Sequence, residues 1–173
     1  MKKSQAGVTI LEFIVYVGIL AIMSGVTVVF LTKVISSYAI IRAEKNLSQD
    51  NALAFERIFN ETRHAKLIYT PTSVLETDAS QLSLRTSLNP PADETFTYVD
   101  YYVDNGVLYE KREGNSAIPL TGSNSVVTVF NATRFYFGGA EGIRITLVAR
   151  TIAASGPLSR TFSWTSSSTL RGY

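Results

Sequence analysis

The pattern of apolar and polar positions divides the chain into three stretches. Residues 2–7 form a short basic and polar leader that ends in glycine, and residues 13–32 of the apolar run that follows carry no charge. About 20 uncharged, mostly apolar residues are enough to span a bilayer as a helix. The period becomes helical between residues 36 and 66 and alternating after Pro71. The pattern therefore predicts one long helix followed by strands.

The second part of the predicted helix is amphipathic. Phe55 and Phe59 form an aromatic pair at i,i+4 spacing. The other apolar residues of the same stripe are Leu47, Ala54, Ile58 and Ala65. The charged residues, which we expect mostly outside the stripe, are Arg42, Glu44, Lys45, Asp50, Glu56, Arg57, Glu61 and Arg63. Because no proline precedes Pro71, we expect one helix from Val8 to about Lys66, with the stripe packed on a sheet.

The C-terminal half predicts strands joined by turns. Asp104-Asn105-Gly106 lies between two β-branched and aromatic runs, which is the strongest short-range signal for a hairpin. Residues 87–93 contain two adjacent prolines and predict a loop, and residues 138–142 predict a turn. The expected strands are 81–85, 96–103, 107–112, 125–130, 133–137, 143–151 and 159–165. The predicted fold class is α+β, with a long N-terminal helix packed on one antiparallel sheet in a meander.

Composition adds constraints on compartment and partners. The chain has 173 residues, which is enough for one domain of modest core plus an anchor. It has no cysteine, so stability outside the cytoplasm would come from the core and the sheet without disulfides. The net charge of +2 implies no general attraction for nucleic acid. Lys2 and Lys3 precede the apolar run, so the positive-inside rule keeps the N-terminus cytoplasmic and the remainder outside.

Residue patterns for catalysis or metal binding are not found. The one histidine, His64, falls on the last turns of the predicted helix, where we expect a surface residue without a catalytic partner. A zinc site needs more cysteine or histidine, and Asp100, Asp104 and Asn105 do not have calcium-loop spacing. The 138–142 glycines lack the lysine and helix of a phosphate loop. We assign no catalytic, metal or cofactor residue and expect no enzyme.

Aromatic residues of the predicted strands have two readings. Tyrosine and phenylalanine rings on a sheet can stack on single-stranded DNA. Core packing explains the same residues more simply, since alternate aromatics fill a helix–sheet interface. The sequence favours core packing.

Glu12 is the one charge in the head of the apolar run. A carboxylate there is costly unless it has a partner or a polar neighbourhood. Gly7, at the end of the leader, offers a processing enzyme a flexible backbone without a side chain. Leader charge, glycine, spaced glutamate and uncharged run thus coincide within about thirty residues.

This junction, Lys2-Lys3 followed by Gly7-Val8-Thr9-Ile10-Leu11-Glu12, resembles the class III signal of type IV pilins and type II secretion pseudopilins. The resemblance implies cleavage after Gly7 by a prepilin peptidase and methylation of the new N-terminus at Val8. It also implies that Glu12 pairs with the Val8 amine of a neighbouring subunit during assembly. Two departures are Val8, where the family usually has phenylalanine, and the lack of proline in the apolar run.

The resemblance also implies an organisation and a set of partners. Residues 1–7 would be the leader, 8–35 the transmembrane and assembly helix, and 36–173 the extracytoplasmic globular domain. The protein would be a single-pass inner-membrane protein that later enters a pilus or pseudopilus. Its partners would be prepilin peptidase, other pilin or pseudopilin subunits, the inner-membrane assembly platform and the lipid bilayer. In residues 51–58, the hairpin at 101–109, residues 144–147 and residues 170–171, the globular half is loosely similar to minor pseudopilins of the J class and to related minor pilins.

Three alternatives remain open from the sequence. A secretory signal cleaved after Ala39 would release a soluble domain, and a plain signal anchor would leave Glu12 unexplained. A minor pilin could instead bind DNA or a surface ligand through its sheet or the 87–94 segment. Nucleic acid as a partner has no support, because the arginines that would form a basic groove cannot be placed on one face. They are Arg134, Arg144, Arg150 and Arg160.

Overall fold

The computed structural model describes residues 9–122, 125–151 and 161–171. Helix α1 is Ile10–His64, and the strands are β1 Ala65–Ile68, β2 Gln81–Thr86, β3 Thr97–Asp104, β4 Val107–Arg112, β5 Ile118–Pro119, β6 Ser125–Phe137, β7 Ala140–Thr151 and β8 Thr161–Thr169. The chain splits into two compact units, Met1–Arg42 and Ala43–Tyr173, and α1 contributes to both. The predicted α+β class, a long N-terminal helix followed by antiparallel strands, is confirmed.

The amphipathic stripe predicted for the helix is confirmed within the second unit. Leu47, Ala54 and Ile58 are buried, and Ala65, the next member, is fully buried as the first residue of β1. Phe55 and Phe59 are in contact, with ring centroids 5.4 Å apart. The helix ends at His64, two residues before the expected end, because β1 begins directly after it.

Glu61 corrects the assignment of charges to the exposed side. It is buried on the same side of α1 as Ile58 and Thr62, where it forms an ion pair with Arg112 of β4. Thr62 donates its hydroxyl to the Ile58 carbonyl at 2.8 Å. Glu61 and Thr62 are therefore tolerated on this face because one has an ionic partner and the other a hydrogen-bond acceptor.

The strands form two sheets where one was expected. β1 to β5 make a five-stranded antiparallel sheet in chain order, and β6 to β8 make a three-stranded antiparallel sheet. β5 has only two residues, so the ladder on that side of β4 is short. Isolated backbone hydrogen bonds connect the two sheets, and in one of them the Val127 N–H donates to the Gly106 carbonyl at 2.7 Å.

Local turn chemistry fixes the hairpins as predicted. Asn105 and Gly106 have φ of 48° and 77°, which is the left-handed geometry required for a tight hairpin. Gly138 and Gly139 make the turn before β7, which begins earlier than expected, at Ala140. The two strands expected at 125–130 and 133–137 are one strand, β6, with a register shift between Val127 and Val129.

The core lies between α1 and the inner faces of both sheets. From Ile143 to Thr151, β7 alternates strictly, and its buried apolar residues are Ile143, Ile145, Leu147 and Ala149. Tyr101 and Phe130 are the largest fully buried side chains. Full burial of one such apolar side chain contributes about 1.5–3 kcal/mol, so this shared core holds the helix to the strands within the unit.

Candidate functional site

Residues 10–39 of α1 are mostly apolar, and in the part of the chain that the structure describes they are exposed on all sides of the helix. Ile10 is 81% exposed, Ile22 70% and Met23 64%, although at 3.6 residues per turn these residues lie on three different sides of the helix axis. In the described part of the chain, α1 is the one helix long and apolar enough to cross a membrane. A helix that is hydrophobic all round belongs in a core or a bilayer. This exposed apolar surface is the first element of the candidate site.

Hydroxyl groups within the apolar segment are satisfied by their own helix. Ser24 donates to the Leu20 carbonyl and Thr27 to the Met23 carbonyl, each at 2.8 Å. In hydrocarbon no water is available to such groups, so an internal acceptor is needed. These hydroxyls therefore leave the segment compatible with lipid.

At Gly18 and Gly25 this apolar helix surface carries no side chain. A Cβ built at either position would meet no atom within 4 Å. Their lack of a side chain is therefore not required by packing inside the chain. Small residues in membrane helices allow neighbouring helices to approach closely.

Glu12 lies in the first turn of α1. Its backbone N–H donates to the Thr9 hydroxyl oxygen at 3.3 Å, and its Oε1 accepts from the Tyr16 hydroxyl at 3.4 Å. Thr9 is therefore the N-cap residue, and Thr9-x-x-Glu12 is a capping signature that could have been read from the sequence. A carboxylate in this turn is also favoured by the helix dipole.

No cation among the described residues forms an ion pair with Glu12. The cap uses the backbone N–H of Glu12, and its carboxylate accepts from Tyr16 instead, so the cap does not account for the negative charge at this position. Gly7 and Val8, the residues predicted for processing, lie outside the described residues. The structure thus places one of the three predicted site residues and leaves its charge without a cationic partner.

The second unit contains a polar network that sequence reasoning missed, buried except at Arg57, whose side chain is half exposed. Glu61 and Arg112 form one ion pair, and Arg57 Nε lies 2.8 Å from Glu110 Oε2 in another. The Tyr101 hydroxyl donates to the same Glu110 oxygen at 3.4 Å. The network joins α1 to β3 and β4 through paired charges rather than through apolar contacts alone.

Burial raises the pKa of two groups in this network, Glu61 and Tyr101. Desolvation raises the pKa of Glu61, and the charge of Arg112 opposes that shift. Burial, together with the negative charge of Glu110, raises the pKa of Tyr101 well above its usual range. Arg112 also donates to the Leu88 carbonyl at 2.7 Å, so its guanidinium is held on both sides. These groups are fixed by one another, which suits a structural clamp.

Other residues considered for chemistry lie apart. His64 is exposed on the last turn of α1, with Nδ1 2.8 Å from the Asn60 carbonyl oxygen. Within residues 9–122, 125–151 and 161–171, no cluster of three His, Asp or Glu side chains is placed to hold a metal ion.

The described arginines of the second sheet lie on both of its faces, although Arg144 and Arg150 are exposed on the same face of β7. Arg134 pairs with Glu141 at 3.1 Å and lies opposite the buried Ile143 in the ladder, whereas Arg144 points to the other face. Arg160 lies outside the described residues. No basic groove is formed by Arg134 and Arg144.

Comparison with known proteins gives one informative likeness. The structure is similar to a type IV-like pilin from Thermus thermophilus, with a TM-score of 0.53 and 12% sequence identity, over 73% of this chain and 97% of that chain. No protein-family model matches the sequence. No curated protein matches it either. At this identity the likeness establishes the fold: a pilin-like arrangement of one long N-terminal helix and antiparallel sheets.

Proposed function

We propose that this chain is a minor pilin or pseudopilin, a structural subunit of a type IV pilus-like or type II secretion filament. The observation that carries the proposal is the exposed apolar helix surface at the N-terminus of a pilin-like fold. Such a surface needs lipid or other helices around it. A subunit that passes from the bilayer into a helical bundle would satisfy both conditions in turn.

Processing is the first step of the proposal. A prepilin peptidase cuts after Gly7 on the cytoplasmic side, and Val8 becomes the new N-terminus, with a methyl group added. Residues 8–35 then remain as the anchor and residues 36–173 as the domain outside the membrane. The basic leader, with Lys2 and Lys3, supports this orientation.

Assembly is the second step. The Glu12 carboxylate binds the Val8 amine of a neighbouring subunit and sets the axial register between the two. Support comes from the missing cationic partner of Glu12 among the described residues. Two buried opposite charges are tolerable together and costly apart, so the pair would form as the helices leave lipid. The assembly platform and other pilin subunits are the partners of this step.

A Glu12→Gln variant tests the assembly role. Glutamine keeps the capping geometry with Thr9 and removes the charge, so helix initiation is preserved. We expect the amount of subunit in sheared filaments from the native host to fall roughly tenfold or more, because the pair with the Val8 amine is lost. The amount in the membrane fraction should stay unchanged.

The matched control is Glu56→Gln, which removes an exposed charge elsewhere on α1. It should enter filaments as the natural protein does. Incorporation of the Glu12→Gln variant at the natural level would refute the assembly role. Loss of both variants from the membrane would point to failed insertion and would likewise argue against a specific role for Glu12.

A further inference from the structure

The outer face of the five-stranded sheet carries tyrosines that the core does not use. In β3, Val99 and Tyr101 are fully buried, so Tyr98, Asp100 and Tyr102 alternate onto the opposite face. Core packing, the explanation that the sequence favours for the sheet aromatics, therefore holds for Tyr101. It does not hold for Tyr98 and Tyr102, which face away from the core. The outer tyrosines are half-buried at the surface.

The strand register orders this face. Asp100 is paired with Lys111 of β4, and Tyr102 is paired with Tyr109. Tyr102 and Tyr109 stack on each other, with ring centroids 5.9 Å apart. The face therefore has two stacked tyrosines at one end, and next to them an acidic and a basic residue on neighbouring strands.

On the side of Asp100 and Lys111 away from the stacked tyrosines, the face becomes concave. Tyr69 and Tyr98 meet edge to face with ring centroids 4.8 Å apart. They form part of a cleft of about 320 Å³ lined by Tyr69, Thr72, Tyr98, Asp100, Lys111, Glu113 and Gly114. This volume is at the lower end of the range for small-molecule sites, roughly 300–1,000 Å³. We call this cavity the tyrosine cleft.

Two charged groups of the tyrosine cleft are not used by the protein itself. Asp100 and Lys111 lie opposite each other in the ladder, yet neither forms an ion pair or a side-chain hydrogen bond within the described part of the chain. Glu113 is different, because its Oε2 accepts the Tyr98 N–H at 3.3 Å. A carboxylate and an ammonium group are thus available beside the two rings.

The charge around the cleft is close to balanced. The charged residues of its lining are Lys111, Asp100 and Glu113, and a second cation, Arg85, is paired with Tyr98 in the neighbouring strand. Arg85 and Lys66 both lie over the ring of Phe96, at 4.1 and 5.6 Å from its centroid. Nucleic acid binding depends on a surplus of cations against the phosphates, and this face has little. A neutral ligand with many hydroxyl groups fits the balance better.

We propose that the tyrosine cleft binds a neutral saccharide. A pyranose ring has an apolar face of C–H groups, which packs on an aromatic ring such as Tyr98. Its hydroxyls both donate and accept, so they can donate to the Asp100 carboxylate and accept from the Lys111 ammonium. The binding is non-covalent and goes beyond the proposed role in assembly, which involves a different part of the chain.

The test uses the full chain in zwitterionic detergent micelles, because detergents with sugar head groups would compete. Binding is measured on an array of neutral hexose and N-acetylhexosamine oligosaccharides, with an oligothymidylate as the comparison probe. The best array member is then titrated by calorimetry against three variants. We expect saccharide binding and no comparable binding of the oligothymidylate.

The variants locate the site. Tyr98→Leu should weaken saccharide binding about tenfold or more, since it removes the stacking ring while keeping an apolar strand residue. Asp100→Asn keeps the shape and should weaken it several-fold, since it removes the charged acceptor. The control Tyr102→Leu alters a tyrosine of the same strand and face that does not line the cleft, and it should bind as the natural protein does.

Three results would overturn the proposal. One is the absence of binding to every saccharide on the array. Another is binding of the oligothymidylate in preference to saccharides. The third is equal weakening by Tyr98→Leu and Tyr102→Leu together with no effect of Asp100→Asn, which would place the ligand outside the tyrosine cleft.

Discussion

The buried pair of Glu61 and Arg112 gives the sharpest prediction about stability. In the Arg112→Met variant, the guanidinium is replaced by an apolar chain, and the Glu61 carboxylate stays buried without its cation. The Glu61 side chain is 5% exposed and that of Arg112 is 17%, so water cannot readily take the place of the lost partner. Breaking a buried pair in this way costs about 3–5 kcal/mol.

A double variant separates this effect from lost packing. Glu61→Met combined with Arg112→Met replaces the whole pair by apolar side chains. Such replacements are often neutral or stabilising. We therefore expect the double variant to be more stable than Arg112→Met alone by about 2 kcal/mol or more. If the double variant were instead less stable than Arg112→Met, the stability lost in Arg112→Met would come from packing around Arg112 and from its hydrogen bond to Leu88.

The loss should also depend on pH. Burial raises the pKa of Glu61 above its unfolded value of 4.5, and Arg112 opposes the rise. For a raised acid pKa, the contribution to stability is fully present below the unfolded pKa and is lost as pH rises through the folded pKa. Removal of Arg112 moves the folded pKa of Glu61 higher. The Arg112→Met penalty should therefore be large at about pH 7.5 and smaller at about pH 5, because a carboxyl with a raised pKa is more fully protonated at the lower pH.

The assay is urea unfolding of the full chain in micelles, followed by the fluorescence of Trp164. This residue is the one tryptophan of the chain, and it packs against the core of the second unit. The free energy of unfolding is obtained by linear extrapolation at both pH values for each variant. A penalty below about 1 kcal/mol at about pH 7.5, or an equal penalty at both pH values, would refute the reasoning.

Two further predictions use the same urea assay. Ile58→Ala should destabilise the second unit by about 2–5 kcal/mol because Ile58 is 1% exposed in the core, whereas Leu53→Ala, at a position 63% exposed, should cost less than about 1 kcal/mol. Equal costs would contradict the assigned helix face. Gly106→Ala should lower the free energy of unfolding more than Gly114→Ala does. Both glycines have positive φ, so both substitutions strain the backbone. The new Cβ at Gly106 would also lie 2.7 Å from Val126 Cγ1, whereas a Cβ at Gly114 would meet nothing within 4 Å. Equal losses would show that the contact with Val126 relaxes freely.

Much of the fold could be predicted because its signals are local. The helical period around Ile58 repeats over about twenty residues, and the stripe it defines is buried. The Asn105-Gly106 hairpin follows from turn geometry that those two residues alone determine. The Thr9 cap is equally local, and its signature was present in the sequence.

The missed features depend on partners far apart in the chain. Glu61 is buried because Arg112, 51 residues later, reaches it from β4, and no periodicity encodes that pairing. The two separate sheets are connected by contacts between residues far apart in the chain, such as the Val127 N–H with the Gly106 carbonyl. β1, Ala65–Ile68, has four residues and follows the helix without a turn signal. Short or non-local elements of this kind are decided by tertiary contacts.

The outer face of β3 shows a third limit. Tyr98, Tyr101 and Tyr102 occupy both sides of the strand, so their types do not reveal which side faces the core. The alternation of a strand assigns sides only once one residue is known to be buried. In the structure Tyr101 is the buried residue, so Tyr98 and Tyr102 lie on the outer face of β3. The tyrosine cleft is on that outer face.

The central claim, that the chain is a processed filament subunit, is tested most directly by mass spectrometry of the protein extracted from the membranes of its own host. The account predicts a mature N-terminus at Val8, with or without an added methyl group. Mature protein that retains residues 1–7 would contradict it and leave a plain signal anchor. Cleavage after Ala39 would also contradict it, because the released domain would lack Glu12 and the apolar helix surface.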